Sequence, residues 1–536
     1  MASVREATFE LLRAHGMTTI FGNPGSTELP MLAEFPPDFS YVLGLQELVV
    51  VGMADGYAQA SARPTHVNLH TAPGVGNAVG GIFNAQANKS PLVITAGQQV
   101  RPQITFEANL TNRDATVGPQ PYVKWSHEPP RAQDVPAALA RAIRHATAPP
   151  RGPAFVSIPM DDWGAEADAD RSAQARDRRI SVRSGPDPEA LTELATRLAG
   201  ARAPVLVAGP DIDTAGGWEH AVALAEKQRL PVWASPATGG SRIGFPESHP
   251  NFVGVLPPAI GPISETLKDH DLVLVVGSSV FPYYPFIPGP LLAEGSSLVA
   301  ITGDPGEAAR APMGDAIIGD VALALERLVE LVPPAERKAP EARPAPGDPP
   351  AADAPDRLSG SEAMAALAEA WRDDAIAVVE TPSSTLSLRN RLRISRPGSY
   401  YFCASGGLGF GISAAVGVQL AQPERPVVCV LGEGSAQYGI TALWSAVAYR
   451  APVTFLVLRN DEYMILKWFA MLEQVADAPG LDLPGLDVAA VARAYGMQAR
   501  DVSGRDDLVE ALREAIAVQD GPRLLQVPVA TGMWLE

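Results

Sequence analysis

The stretch "VVCVLGEGSAQYGITALW" (residues 427–444) decides how this chain is read. An apolar run ends in Gly432-Glu433-Gly434, and a helical pattern begins at once. A short apolar run bounded by turn residues reads as a buried strand, and a strand feeding a helix belongs to a parallel sheet. Ligands of open parallel sheets bind at the carboxyl ends of strands, and Glu433 stands at such an end. Gly432 and Gly434 let the backbone turn sharply and approach a ligand closely. Ser435 is placed to cap the helix, whose free N–H groups form an anion site. A carboxylate beside a phosphate site is repulsive unless a cation lies between them. The pattern therefore suggests Mg²⁺, or Ca²⁺ in its place, bridging Glu433 and a diphosphate. A second strand, "PVTFLVLRND" (452–461), follows after one helix and ends at Asn460. Asn460 offers an amide oxygen to the same cation, and Glu462 a backbone carbonyl. Without a ligand, the same residues are merely a turn acid and a turn amide.

The rest of the chain repeats this grammar. "TTIFG", "YVLGL", "HVNLHT", "PLVITAG" and "PAFVSIP" read as strands within residues 1–180, with helical patterns between them. A polar crossing, "DADRSAQARDRRISVRSGPDP", leads to a second series: "APVLVAGPDI", "LPVWASP", "DLVLVVGSSV" and "SSLVAITGDP". That series spans 181–332. Residues 333–357, "PPAERKAPEARPAPGDPPAADAPDR", read as an extended, mobile linker. The third series, 358–536, adds "AIAVVETPSS", "SYYFCASGGLGFG" and "PRLLQVPVA" to the two strands above. The reading is α/β: three doubly wound parallel-sheet domains. A length of 536 residues agrees, since about three domains are expected of it.

Composition narrows the function. The formal charge of −18 argues against nucleic acid or an anionic membrane as partner. The two cysteines, Cys403 and Cys429, sit in apolar contexts and form no disulfide or zinc pattern. The first residues, "MASVREATFELLRAHG", are an amphipathic helix rather than a signal peptide. A reducing cytosol, hence a cytoplasmic location, fits.

Near the N-terminus, "FGNPGSTELP" (21–30) follows a strand, so Asn23, Pro24, Gly25 and Ser26 form a tight turn at a strand end. Glu47 opens the apolar helix "ELVVVGMADGYAQAS", an odd place for a solvated acid. His70 ends a strand before "TAPGVGNAVGG". Taken alone, Glu47 reads as an acid favoured by the helix dipole and His70 as a polar core residue.

Together these segments resemble the thiamine diphosphate-dependent 2-oxo acid decarboxylase family, closest to its benzoylformate decarboxylases. The likeness runs over nearly the whole chain, through "FGNPGSTELP", "DGYAQAS", "VKWSHEP", "DPGEAARAPMGDAI", "PGSYYFCASGGLGFG", "GVQLAQPER" and "PGLDLPGLD" in order. The resemblance implies pyrimidine-binding, central and diphosphate-binding domains. It implies that Glu47 hydrogen-bonds the cofactor's aminopyrimidine and promotes loss of the thiazolium C2 proton. The cofactor then takes up the electrons that carbon dioxide leaves behind. Ser26 and His70 are assigned to substrate carboxylate binding and proton traffic, with Asn23 and Gly25 beside the cofactor. Ser383 is assigned to the diphosphate, and Leu408 to propping the cofactor in its bent shape. In the family, Glu47 of one subunit meets the diphosphate domain of another, so the active unit is a homodimer, commonly within a homotetramer.

The chain also departs from that pattern. Glu433 stands for Asp, and Arg459 for the first Asn of the metal motif. The family's second catalytic His, in the central domain, aligns with Tyr284 in "GSSVFPYYPFIPG", and no His follows His270. Tyrosine has a reference pKa of about 10 against about 6.5 for His, so it shuttles protons poorly near neutrality. In "DEYMILKWF", Ile465 borders an apolar substrate pocket with Leu466 and Phe469. Three functions are therefore weighed. The first is decarboxylation of an aromatic or branched 2-oxo acid to an aldehyde. The second is an acyloin-forming carboligase or lyase using the same intermediate and an aldehyde. The third is a ligand-binding homologue without turnover, which the intact Glu47, Ser26 and His70 oppose.

Overall fold

The computed structural model describes residues 2–236, 241–281 and 284–533. They form three six-stranded sheets, and every strand pair in them is parallel. The first holds β1 (Thr19–Gly22), β2 (Ser40–Leu43), β3 (Thr65–Leu69), β4 (Leu92–Gln98), β5 (Ser126–His127) and β6 (Ala154–Pro159), in the order β2-β1-β3-β4-β6-β5. The second holds β7 (Pro204–Ala208), β8 (Val232–Ala234), β9 (Phe252–Val255), β10 (Leu272–Val276), β11 (Ser297–Thr302) and β12 (Asp315–Ile318), in the order β12-β11-β10-β7-β8-β9. The third holds β13 (Ile376–Glu380), β14 (Tyr400–Phe402), β15 (Val427–Gly432), β16 (Val453–Arg459), β17 (Gln498–Asp501) and β18 (Arg523–Pro528), in the order β14-β13-β15-β16-β18-β17.

The apolar runs of the sequence mark the inner strands. β3, β4, β6, β7, β10 and β13 are buried along their whole length. Four strands escape that reading: β5, β9, β12 and β17, all at sheet edges. An edge strand covered on one side need not be apolar throughout. β17 has no buried residue, and β12 has one.

Each sheet switches the direction of its strand order inside the sheet, between β1 and β3, β7 and β10, and β13 and β15. Such a reversal opens a crevice beyond the strand ends. In the first sheet the crevice is flanked by the turn after β1 and by His70 after β3. In the third it is flanked by Glu380, Glu433 and the end of β16, because Leu431 pairs with both Glu380 and Val457.

The first and third domains meet through the helices Glu47–Ser61 and Phe410–Ala421. Their backbones touch. A Cβ on Gly56 would lie 2.2 Å from the Ala414 carbonyl oxygen, and one on Gly417 would lie 1.8 Å from that of Met53. Buried ion pairs fasten the middle domain. Arg242 binds Asp213 at 2.7 Å, donates to the Gln59 carbonyl at 2.9 Å and lies over the Tyr401 ring. Arg389 binds Glu247 at 2.7 Å. Loss of either partner would leave an unpaired buried charge. Residues 333–357 form no helix or strand. They are nonetheless pinned along their length, by Arg337 on the Gln228, Leu198 and Ala201 carbonyls, Arg343 on Asn390, and Arg357 on Asp461. A sequence rich in proline reads as mobile, but its arginines anchor it.

His66 on β3 is wholly buried, with Nε2 at 2.9 Å from Thr95 Oγ1. Burial pushes its pKa down from 6.5 to about 4. The neutral ring is kept in the fold, while the unfolded chain protonates near pH 6.5. Its contribution is therefore full above pH 6.5 and lost as pH falls toward 4, on the order of 3 kcal/mol. Chemical denaturation over this pH range should show an acid limb that flattens in His66→Gln.

Candidate functional site

The third-domain half of the site is a pocket at the ends of β13, β15 and β16. Ser383, Leu408, Gly432, Glu433, Gly434 and Ser435 line it, joined by Asn460, Glu462 and Ile465. The short helix Glu433–Gln437 starts at Glu433 itself, with Gly432 as its N-cap. Ser435 thus lies inside the first turn and makes no cap. That corrects the sequence expectation, which set the helix start three residues too late. A Cβ on Gly434 would lie 2.7 Å from the Tyr463 ring, so only glycine fits there.

Glu433 is buried, and one carboxylate oxygen accepts the amides of Asn460 and Asp461 at 3.0 and 2.6 Å. Burial still raises its pKa above the ordinary value. A carboxylate so placed favours a cation. Asn460 Oδ1 accepts the Glu462 amide at 3.1 Å. Glu462 Oε1 is buried without a partner, while Oε2 meets Lys467. Among the described residues no group of three or more His, Cys, Asp or Glu side chains is arranged to hold a metal ion. The donors here are all oxygens, from carboxylate, amide and carbonyl groups, a set that fits a hard divalent cation such as Mg²⁺ or Ca²⁺.

Leu408 sits between two left-handed glycines, Gly406 (φ 73°) and Gly409 (φ 90°). Beneath this loop lies Glu380, which the sequence reading missed. Its two oxygens accept the Gly409 and Gly411 amides at 2.6 and 2.8 Å. Burial pushes its pKa up to about 8. The signal was present, since an acid ends the apolar run "AIAVVE", but nothing in sequence pairs it with distant glycines.

The first-domain half is separate. None of the described residues lining the pocket above belongs to it. Gln46 caps the helix that Glu47 opens. Glu47 is buried, and its oxygens accept from Asn23 Nδ2 at 3.1 Å and Asn77 Nδ2 at 3.0 Å. A plain helix-dipole acid would face water, so two converging amides mark a held group. Asn77 was not foreseen. His70 Nδ1 lies 2.9 Å from Glu28 and 3.1 Å from Thr27 Oγ1. Glu28 is buried and accepts the Gly25 and Gly97 amides at 2.8 and 2.9 Å. It too was missed, hidden in "GSTELP" as an ordinary turn acid. Glu28 thus orients the imidazole through Nδ1, an assignment that rests on its partners. A Cβ on Gly25 would lie 2.1 Å from His70 Nδ1, so this glycine makes room for the ring. Ser26, next to it, is exposed.

Tyr284 of the middle domain is 62% exposed, with its ring 4.9 Å from that of Phe469. Ile465, Leu466 and Phe469 share the helix Met464–Leu472, which has no buried residue. Ile465 lines the pocket, whereas Leu466, Phe469 and Tyr284 stand outside it.

Comparison with known proteins follows this geometry. Residues 2–116 match the thiamine pyrophosphate enzyme N-terminal TPP binding domain, residues 191–328 its central domain and residues 381–527 its C-terminal TPP binding domain. The chain belongs to the thiamine pyrophosphate enzymes. It is 53% identical over 531 residues to a benzoylformate decarboxylase of Pseudomonas aeruginosa, covering 99% of both chains. Among solved structures, it resembles a thiamine diphosphate-dependent 4-hydroxybenzoylformate decarboxylase of Rhodococcus jostii at TM-score 0.95 and 45% identity, covering 99% of this chain and 100% of that one. A benzoylformate decarboxylase of Polynucleobacter necessarius matches at TM-score 0.95 and 40% identity, over 99% of each chain. The two residue groups described above, around Glu47 and around Glu433, thus lie within the regions that match the two TPP binding domains.

Gly25→Ala should drive the His70 ring off Glu28. Turnover should fall by roughly 10²-fold, while thiamine diphosphate affinity holds. Steady-state kinetics and titration calorimetry separate the two.

Proposed function

We propose that this thiamine pyrophosphate enzyme is a carboxy-lyase that splits an aromatic 2-oxo acid of the benzoylformate kind into an aldehyde and carbon dioxide. The observation that carries the reading is the first-domain half-site. Glu47 is held by two amides, and His70 by a buried carboxylate, in a chain that is 53% identical to a benzoylformate decarboxylase. Branched 2-oxo acids remain within reach of an apolar pocket bordered by Ile465.

Glu433, Asn460 and Glu462 would hold Mg²⁺ or Ca²⁺, with Ser383, Gly432, Gly434 and Ser435 around the diphosphate and Leu408 under the bend. Thiamine diphosphate, when bound, supplies the electron sink that lets carbon dioxide leave. Glu47 holds a proton at the aminopyrimidine nitrogen, positioned by Asn23 and Asn77. Ser26 binds the substrate carboxylate. His70 moves a proton through Nε2, because Nδ1 is committed to Glu28.

Glu47 stands in one half-site and Glu433 in the other. A second copy of the chain completes each site, giving a homodimer, paired as a homotetramer in the cytoplasm. None of the helices among the described residues is long and apolar enough to cross a membrane.

A second reading, an acyloin-forming carboligase, is favoured by Tyr284 where proton delivery calls for a better acid. A neutral phenol gives up its proton slowly, so an added aldehyde would compete for the intermediate. The test is incubation with thiamine diphosphate, Mg²⁺ and 2-oxo acids, with and without aldehyde. Carbon dioxide and free aldehyde are expected, and a coupled hydroxyketone marks the second reading. No turnover of any 2-oxo acid overturns both. Tyr284→His should shift products toward free aldehyde.

Cofactor titration should require a divalent cation, and Glu433→Ala should abolish that requirement together with tight binding. Glu47→Gln and Glu433→Ala should each be inactive. When the two variants are mixed by refolding, half-intact dimers should restore about one quarter of the wild-type rate. No restoration would place both half-sites in one chain.

A further inference from the structure

Asp461 stands just past β16 in the left-handed conformation, at φ 62°. Few residues other than glycine adopt it without a local reason, and Asp is one of them. The backbone here is in use. The Asp461 amide donates to Glu433 at 2.6 Å, and the Asp461 carbonyl accepts the Leu483 amide at 2.7 Å. The side chain is held on both oxygens. Arg459 Nε reaches Oδ1 at 2.8 Å, and a terminal nitrogen of Arg357 reaches Oδ2 at 2.7 Å.

Arg357 comes from far away in sequence and is itself fixed. Its other terminal nitrogen donates to the Val529 carbonyl at 3.1 Å. The next residue, Leu358, donates to the Pro528 carbonyl and accepts from Ala530, so it pairs alongside the end of β18. The last residue of the linker is thereby joined, through one carboxylate, to the turn that positions Glu433.

We infer that Arg357 is a positioning residue for the cation and diphosphate: with Arg459 it clips Asp461 into the left-handed turn that presents the Asn460 and Asp461 amides to Glu433. The inference rests on the cofactor and cation reading above. It assigns the arginine that replaces the family's first Asn a purpose. Arg459 does not bind the cation. It holds the acid two residues on, and that acid holds the turn. Without the clip, the turn relaxes toward right-handed backbone and Glu433 loses an amide.

The test is titration calorimetry of thiamine diphosphate with Mg²⁺, and separately with Ca²⁺, into the full-length protein. Arg357→Ala should weaken cofactor binding roughly 10-fold, in the range found for groups that orient metal ligands. Glycine adopts the left-handed turn unaided. In an Asp461→Gly background, Arg357→Ala should therefore cost less than about twofold, as expected when the shared partner is gone. Arg357→Lys keeps one ion pair and should fall between, and it carries the test if Arg357→Ala does not fold. Wild-type affinity in Arg357→Ala or Arg357→Lys overturns the clip. So does an equal loss in both backgrounds, which would make Arg357 a general support of the domain. A wild-type protein that binds no cofactor with either cation overturns the functional reading first.

Discussion

Two helices, Glu47–Ser61 and Phe410–Ala421, whose backbones meet at glycines set the geometry of the molecule. Gly56 and Gly417 are each so close to the opposite backbone that a single methyl group cannot be inserted. Close approach of this kind fixes both the distance and the rotation of the pair. Each helix also begins at a functional group. One opens with Glu47, and the other opens just after the Leu408 loop. The contact runs down to these ends, since a Cβ on Gly409 would lie 2.7 Å from Leu48 Cδ2. A core contact therefore sets where Glu47 and the Leu408 loop stand.

Four buried carboxylates follow one logic. Glu28, Glu380 and Glu433 each accept two backbone amides, and Glu47 accepts two side-chain amides. Burying a charge without partners costs far more than burying it with hydrogen bonds. The amides lower that cost without removing it, and the raised pKa values of Glu380 and Glu433 record the remainder. What the protein gains is fixed direction. His70 is aimed by Glu28 and the Leu408 loop is tied by Glu380, so little has to reorganise when a ligand arrives.

The sequence made much of this legible, for a physical reason. Strands buried on both faces must be apolar throughout, so the inner strands and the residues at their ends could be read directly. Glu433, Asn460 and His70 were placed just past strand ends that way. Edge strands such as β17 have no such obligation and passed unnoticed. Glu28, Asn77 and Glu380 were missed because their meaning lies in partners distant in the chain. Gly97 gives meaning to Glu28, and Gly411 to Glu380. Ser435 was misread because a helix start depends on backbone angles that a Gly-Glu-Gly sequence leaves open. The linker was misjudged because proline content signals extension but says nothing of what its arginines can reach.

Glu433, Arg459 and Asp461 look like separate oddities in sequence, but charge balance makes them one. The turn after β16 carries Asp461 and Glu462, and Glu433 lies against it. Three carboxylates at one strand end repel one another. Arg459 and Arg357 meet Asp461, Lys467 meets Glu462, and Glu433 is left with amides alone. The only acid without a basic partner in this group is thus Glu433. The same economy explains the longer side chain. Neighbouring strands lie about 4.8 Å apart, and Glu433 must cross from β15 to amides beyond β16. The extra methylene gives it that reach, and the clipped turn brings the amides to meet it. A shorter acid at 433 would then need the turn to move toward it, which the two arginines on Asp461 oppose.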